Sequence, residues 1–376
     1  MTRYDYLRKY ASEHAWSPST SPETIEHARA AIHAIQNKQE VSISMLESVV
    51  SLTYYFGSFT GLLNDPALIQ HCVICLCQRE RKGAQVFDDE WGYLCFRILV
   101  LAINASMISK YHHPAVWDTL LSMHGRQGAD EQLSDSLNAF LAQQVHNPHP
   151  DRIIGWSPQG IHPTIISKAN TLLLLDLLFK DRKGLLRAWS ETRSPTLTGL
   201  LFVLWRFAHV ASMPNHWISF IDLARRNYLI TKADFSNAIQ TFQEDAHQHV
   251  DIWFSRRTLT AVDLEDARLQ LSILTKRLRS EPSTGICVVP FTLSFYFLVG
   301  FSLPNADEKF IPGVEDLFIP LLREAFGGFW CCFKIGVASL IIRPDLIRKR
   351  IGLLIITINL MLDHLEIHPT DLVSRK

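Results

Sequence analysis

The chain has 376 residues, with 37 Lys+Arg against 37 Asp+Glu, 47% hydrophobic residues and 20% charged. That length can bury a large core, and the apolar content excludes bulk disorder. The zero formal net charge argues against an electrostatically driven nucleic-acid binder, which carries a basic excess.

The N-terminus, Met1-Thr2-Arg3-Tyr4-Asp5-Tyr6-Leu7-Arg8-Lys9-Tyr10, alternates charged and aromatic residues and lacks an apolar core segment. It does not read as a secretory signal. Helix punctuation then recurs at Ser21-Pro22, Asp65-Pro66, His113-Pro114, His162-Pro163 and Ser194-Pro195. Proline at a first helical position costs no hydrogen bond, and a Ser or Asp before it can cap a free amide. Ser44-Met45-Leu46-Glu47 and Thr231-Lys232-Ala233-Asp234 have the form of capping boxes.

The periodicity between these marks is helical. Ile25, Ala28, Ile32 and Ile35 share one helix face, as do Phe235, Ile239, Phe242, Ala246, Val250 and Trp253 further on. Leu264, Ala267, Leu271, Leu274 and Leu278 form an apolar seam, which leaves Gln270 expected on the opposite, charged face. No stretch shows the sustained alternation of half-buried strands. The expected fold is all-α, with about fifteen helices at about 20–25 residues per helix and loop.

The expected starts at Pro22, Pro66, Pro114 and Pro163 lie 44, 48 and 49 residues apart. In this punctuation the chain resembles armadillo and HEAT-type α-solenoid repeat proteins, whose units have that length. The resemblance implies a helical-repeat array that binds protein along its surface. The alternative is a large globular helical bundle. His146 to Pro163 holds four prolines and two glycines, Gly155 and Gly160, so it cannot be one regular helix. The expected organisation is a helical half over 1–145, a Pro-rich loop or linker at 146–163 and a second helical half over 164–376, or one continuous array.

Seven cysteines, Cys72, Cys75, Cys77, Cys95, Cys287, Cys331 and Cys332, sit in apolar runs. That odd, clustered set points to a reducing compartment, with a cytoplasmic location expected. Cys72, Cys75 and Cys77 beside His71 lack the second pair that a tetrahedral zinc site needs, and so read as core packing. The triplet Asn104-Ala105-Ser106 reads as a buried helix face, not a glycosylation site. Glu244-Asp245-Ala246-His247, followed by His249 and Asp251, has one Glu-x-x-His step where a di-iron bundle needs two. It reads as a solvated face opposite Phe242. His364, Glu366 and His368 miss the zincin order, and Gly155-Trp156-Ser157-Pro158-Gln159-Gly160 misses the nucleophile-elbow spacing.

Phe87-Asp88-Asp89-Glu90-Trp91-Gly92 and Asn215-His216-Trp217-Ile218-Ser219-Phe220-Ile221-Asp222-Leu223 resemble the two metal motifs of class I terpene cyclases. That resemblance implies an all-α enzyme holding Mg²⁺ on a diphosphate. Gly92 and Leu223 stand where the family has acids, and Asp88-Asp89-Glu90 also suits the first turn of a helix. Arg225-Arg226, Arg256-Arg257, Lys276-Arg277 and Arg348-Lys349-Arg350 read as scattered solvated charges. Residues 282–306 carry no charge over 25 positions, long enough to span a bilayer, though Pro290 and Gly300 interrupt them. The function expected is a non-catalytic scaffold or adaptor with a protein partner, alternatively a membrane-associated protein using 282–306 or a divergent Mg²⁺-dependent cyclase. No catalytic, cofactor-binding or metal-ligating residue is assigned, and no cofactor is expected.

Overall fold

The first helices begin where their caps dictate. Ser21 accepts the Thr24 amide ahead of Pro22, and Asp65 accepts the Ala67 amide ahead of Pro66. The computed structural model describes residues 3–11, 21–55, 61–110, 129–145, 147, 149–157, 163–231, 238, 241, 242, 245, 262–280, 313–317, 319–321, 323 and 324. Regular structure among them is helical throughout, without a strand. After a 3-10 segment, Asp5–Tyr10, come α1 (Pro22–Gln36), α2 (Ile43–Tyr55), α3 (Pro66–Arg81), α4 (Glu90–Lys110) and α5 (Ala129–Gln144). The short α6 (Asp151–Ile154) precedes α7 (Lys168–Lys180), α8 (Arg182–Glu191), α9 (Thr198–Ala211), α10 (Pro214–Ile230) and α11 (Leu264–Ser280).

Several helix starts differ from the sequence expectation. Ser42, not Ser44, caps α2 by accepting the Met45 amide at 3.3 Å, which frees Glu47 for a contact elsewhere. Pro163 and Pro195 lie upstream of the helices they were expected to start. Ser167 caps α7 by accepting the Asn170 amide, and α9 starts at Thr198. Pro214 does start α10, behind an uncapped Met213. Pro114 lies outside the described residues.

Residues 1–250 and 251–376 form two compact units. In the first, every residue from Gly92 to Ile108 of α4 is buried. It packs against α2, α3, α5, α6, α9 and a 3-10 turn at Gly61–Leu63. A helix apolar on all sides belongs at such a centre. α4 is also long and apolar enough to cross a membrane, and 94% of its most apolar window is buried by the rest of the chain. Asn104 is fully buried within it, as the triplet reading expected.

The Pro-rich stretch lies inside this first unit. Within it α6 stops at Gly155, whose φ of 82° favours glycine. A Cβ there would also overlap Pro163 and Thr164. Trp156 Nε1 donates to Ile166 O at 2.7 Å, and Arg206 of α9 donates to Asp151 at 2.8 Å. The close approach of α9 to α4 depends on a second glycine, because a Cβ on Gly199 would overlap Asn104 Oδ1. Asn104 Nδ2 meanwhile donates to Thr196 O at 2.9 Å, so the amide cannot swing away without losing that bond.

In the second unit, Ala267, Leu271 and Leu274 are buried as the α11 seam predicts. Leu264 is 41% exposed, and Gln270 is buried instead of facing water. Gln270 Nε2 donates to the buried Asp266 at 3.0 Å, and Asp266 also accepts the Val262 amide at 2.8 Å. Charge balance across α11 therefore does not map onto exposure. Arg268 grips Asp316 through two bonds of 2.6 and 2.7 Å, tying α11 to the 3-10 turn Glu315–Leu317.

Gly199→Ala should cost about 1–3 kcal/mol in urea unfolding. With Asn104→Ala added, the double variant should lose clearly less than the sum of the two single losses.

Candidate functional site

The acidic run ahead of α4 is built into the fold. Asp89 Oδ1 accepts the Gly92 amide at 2.9 Å, capping the helix, and Asp88 Oδ2 accepts the Gln85 amide at 2.6 Å. Each acid then meets a cation. Asp88 pairs with Arg3, Asp89 with Arg79 of α3, and Glu90 with Lys9 at 2.9 Å. The Arg79 guanidinium also lies 5.0 Å from the Trp91 ring centre.

The second half of the cyclase-like pattern lies on α10 and does not join this run in one site. Asn215 is exposed, whereas Ser219 and Asp222 are buried. Asp222 Oδ2 accepts from Arg226 Nε at 2.8 Å and lies 3.6 Å from Arg182 Nε. Arg225 and Arg226 are fully buried, which corrects their reading as a solvated pair. Burial lowers the Arg225 guanidinium to about 9, with Asp222 opposing.

A dense polar arrangement centres on the N-terminal segment, which the sequence reads only as lacking a secretory signal. Leu7 and Tyr10 are buried, and Tyr6 Oη donates to Phe87 O at 2.9 Å. The rings of Tyr6 and Tyr10 lie 5.8 and 5.3 Å from that of Tyr93. Tyr93, Phe87 and Phe96 pack in turn on Trp189. Tyr10 Oη bonds Glu47 at 2.8 Å and also meets Glu90, while Lys9 Nζ reaches the same two carboxylates. Burial first, then the bonds to Glu90 and Glu47, drive the Tyr10 phenol far above its ordinary range. Burial does the same to Tyr6, helped by Tyr93.

Asp181, at the start of α8, lies beneath this segment. Its Oδ2 accepts the Phe87 amide at 2.8 Å, and its Oδ1 is 3.9 Å from Arg3. Burial raises its carboxyl to about 6, against the opposing pull of the Phe87 amide and Arg3.

The thiols behave as packing groups. Cys72 of α3 and Cys95 of α4 are buried. The Cys95 thiol is pushed well up, first by its hydrogen bond with Cys72 and then by burial. Burial also raises Cys75 to about 11 and raises Cys77, and high thiol pKa values disfavour the reactive thiolate. Among the described residues, no group of three or more His, Cys, Asp or Glu side chains is placed to hold a metal ion.

Asp245 departs from its reading as part of a solvated face. Its Oδ2 accepts from Trp205 Nε1 at 2.7 Å and lies 2.6 Å from His209 Nε2. Three residues earlier, Phe242 stacks on Trp205 at 5.3 Å, so ring and half-buried acid both sit against Trp205. Gly155 of the elbow-like hexapeptide closes α6, and Gly160 lies outside the described residues. So do residues 282–306, Cys287, Cys331, Cys332, Glu244, His247, His249, Asp251, His364, Glu366, His368 and the pairs at 256–257 and 348–350. Comparison with known proteins finds no matching family model, no matching curated protein and no matching solved structure.

Asp181 gives a pH test with a defined sign. An acid whose folded pKa is about 6 against an ordinary 3.8 holds its proton more tightly when folded, so its contribution to stability falls as pH rises between those values. Asp181→Asn, which mimics the protonated form, should gain on wild type across pH 4–6, with the gap reaching about 2–3 kcal/mol and staying constant above pH ~7. Urea midpoints at each pH measure that gap.

Proposed function

We propose that the chain is a non-catalytic scaffold or adaptor that binds another protein along its helical surface. The observation that carries this reading is the use already made of the acids a metal-dependent enzyme would need. Asp88, Asp89 and Glu90 cap or brace the start of α4 and are paired with Arg3, Arg79 and Lys9. Asp222 is buried against Arg226 and Arg182. A carboxylate locked to a guanidinium and a backbone amide is a poor Mg²⁺ ligand, because the metal must displace both.

The consecutive pairs α1/α2, α3/α4 and α9/α10 pack as helical hairpins, the kind of unit a repeat surface uses. The burial of α4 from Gly92 to Ile108 supports the closed-bundle alternative over an open array for residues 1–250. The free thiols of Cys72, Cys75, Cys77 and Cys95 support a cytoplasmic location.

Affinity capture from the native cell, followed by reconstitution from purified components, should yield a stoichiometric complex with one protein partner. Mg²⁺-dependent release of pyrophosphate from an isoprenoid diphosphate by the purified chain would overturn the reading in favour of the cyclase. Asp89→Ala discriminates the two further. It should lower thermal stability by about 0.5–2 kcal/mol through the lost cap and leave partner affinity unchanged.

A further inference from the structure

Residues 3–10 lie across the loop before α4 and the start of α8 as a short strap. Arg3 reaches Asp88 and Gln85, Tyr6 bonds Phe87 O, and Lys9 and Tyr10 hold Glu47 and Glu90. The Arg187 guanidinium of α8 lies 4.7 Å from the Tyr4 ring centre, and the Arg193 amide donates to Tyr10 O at 3.4 Å. Beneath the strap the Asp181 side chain is only 3% exposed. We propose that this strap is a proton-controlled latch, which proton uptake at Asp181 closes and ionisation of Asp181 loosens.

The surroundings of Asp181 set that direction. From the strap it faces Arg3, Tyr4 and Tyr6, and from the loop before α4 it faces Asp88. Asp89 acts on Tyr6 from the same loop, and Lys183 and Arg187 of α8 act on Tyr4. Arg182, next in sequence, turns to Asp222 instead. The ionised carboxylate therefore has the Phe87 and Gly184 amides and an Arg3 guanidinium 3.9 Å away, and burial still outweighs all three. That guanidinium is 45% exposed, so water screens its pull. Phenol rings and the like-charged Asp88 also face it, a poor exchange for bulk water. With the strap lifted, water solvates the charge. Linkage then requires protons to favour the strapped state, because that state binds them more tightly. The carboxyl's rise to about 6 puts the response near physiological pH.

Hydrogen exchange read by mass spectrometry tests this between pH 8 and 5, after correction for intrinsic exchange rates. The peptide covering 3–11 is compared with one from the buried centre of α4. Protection of the strap relative to α4 should rise about ten-fold as pH falls over that range. In Asp181→Asn the protection should be high and flat. Arg3→Gln keeps Asp181 but removes the guanidinium that favours its charge, so the rise should begin at higher pH. A flat profile in wild type, an equal slope in Asp181→Asn, or an unshifted onset in Arg3→Gln would each overturn the latch.

Discussion

The burial of α4 on every side is the constraint on which residues 1–250 depend. A helix of 21 residues with an apolar window of this strength cannot face water along any stripe, so the neighbouring helices must close around it. At about 1.5–3 kcal/mol for each large apolar side chain removed from water, that enclosure dominates the energetics. It also dictates where polar groups are tolerated. Arg97 is buried within α4 and donates to Tyr93 Oη at 2.9 Å, and Asn104 spends its amide on Thr196 O. Gly199 exists in α9 because a Cβ there would collide with that amide oxygen.

The charged residues follow from the same enclosure. The start of α4 needs acceptors for its free amides, and Asp89 provides one. Once Asp88, Asp89 and Glu90 are drawn to the rim of the core, each requires a nearby cation, since a partly buried carboxylate without one is costly. Arg79 comes from the preceding helix, while Arg3 and Lys9 come from the N-terminal segment. The segment is thus fixed by the need to neutralise the acids that cap the core helix. Its aromatic residues then seal Tyr93 and Phe87 from water, and Asp181 is trapped under the seal.

A second buried ionic group lies on α10, where Asp222 meets Arg226 and Arg182. Buried ion pairs add little net stability compared with apolar packing, but removing one partner is strongly destabilising. Their presence here fixes how α10 sits against α8, because a shifted register would strand a charge. The half-buried Asp245, shared by Trp205 and His209, ties itself and Phe242 to α9.

The helical class is legible residue by residue, because turn residues and periods of three and four residues act locally. Ser21 and Asp65 cap the helices that follow them, and the run around Asn104 is buried as its apolar flanks require. Proline spacing carried less information. Pro163 and Pro195 fit helix starts in isolation, yet the chain starts α7 at Ser167 and α9 beyond Leu197, since a proline permits a helix start without compelling one. Which polar residues are buried depends instead on how the helices pack. Gln270 and Arg225 look solvated in a helical projection and are buried, drawn inward by packing that no local period encodes. The strap is the clearest case. Nothing between residues 3 and 10 names Asp88 or Asp181, and their pairing exists because the core helix places its capping acids beside that segment.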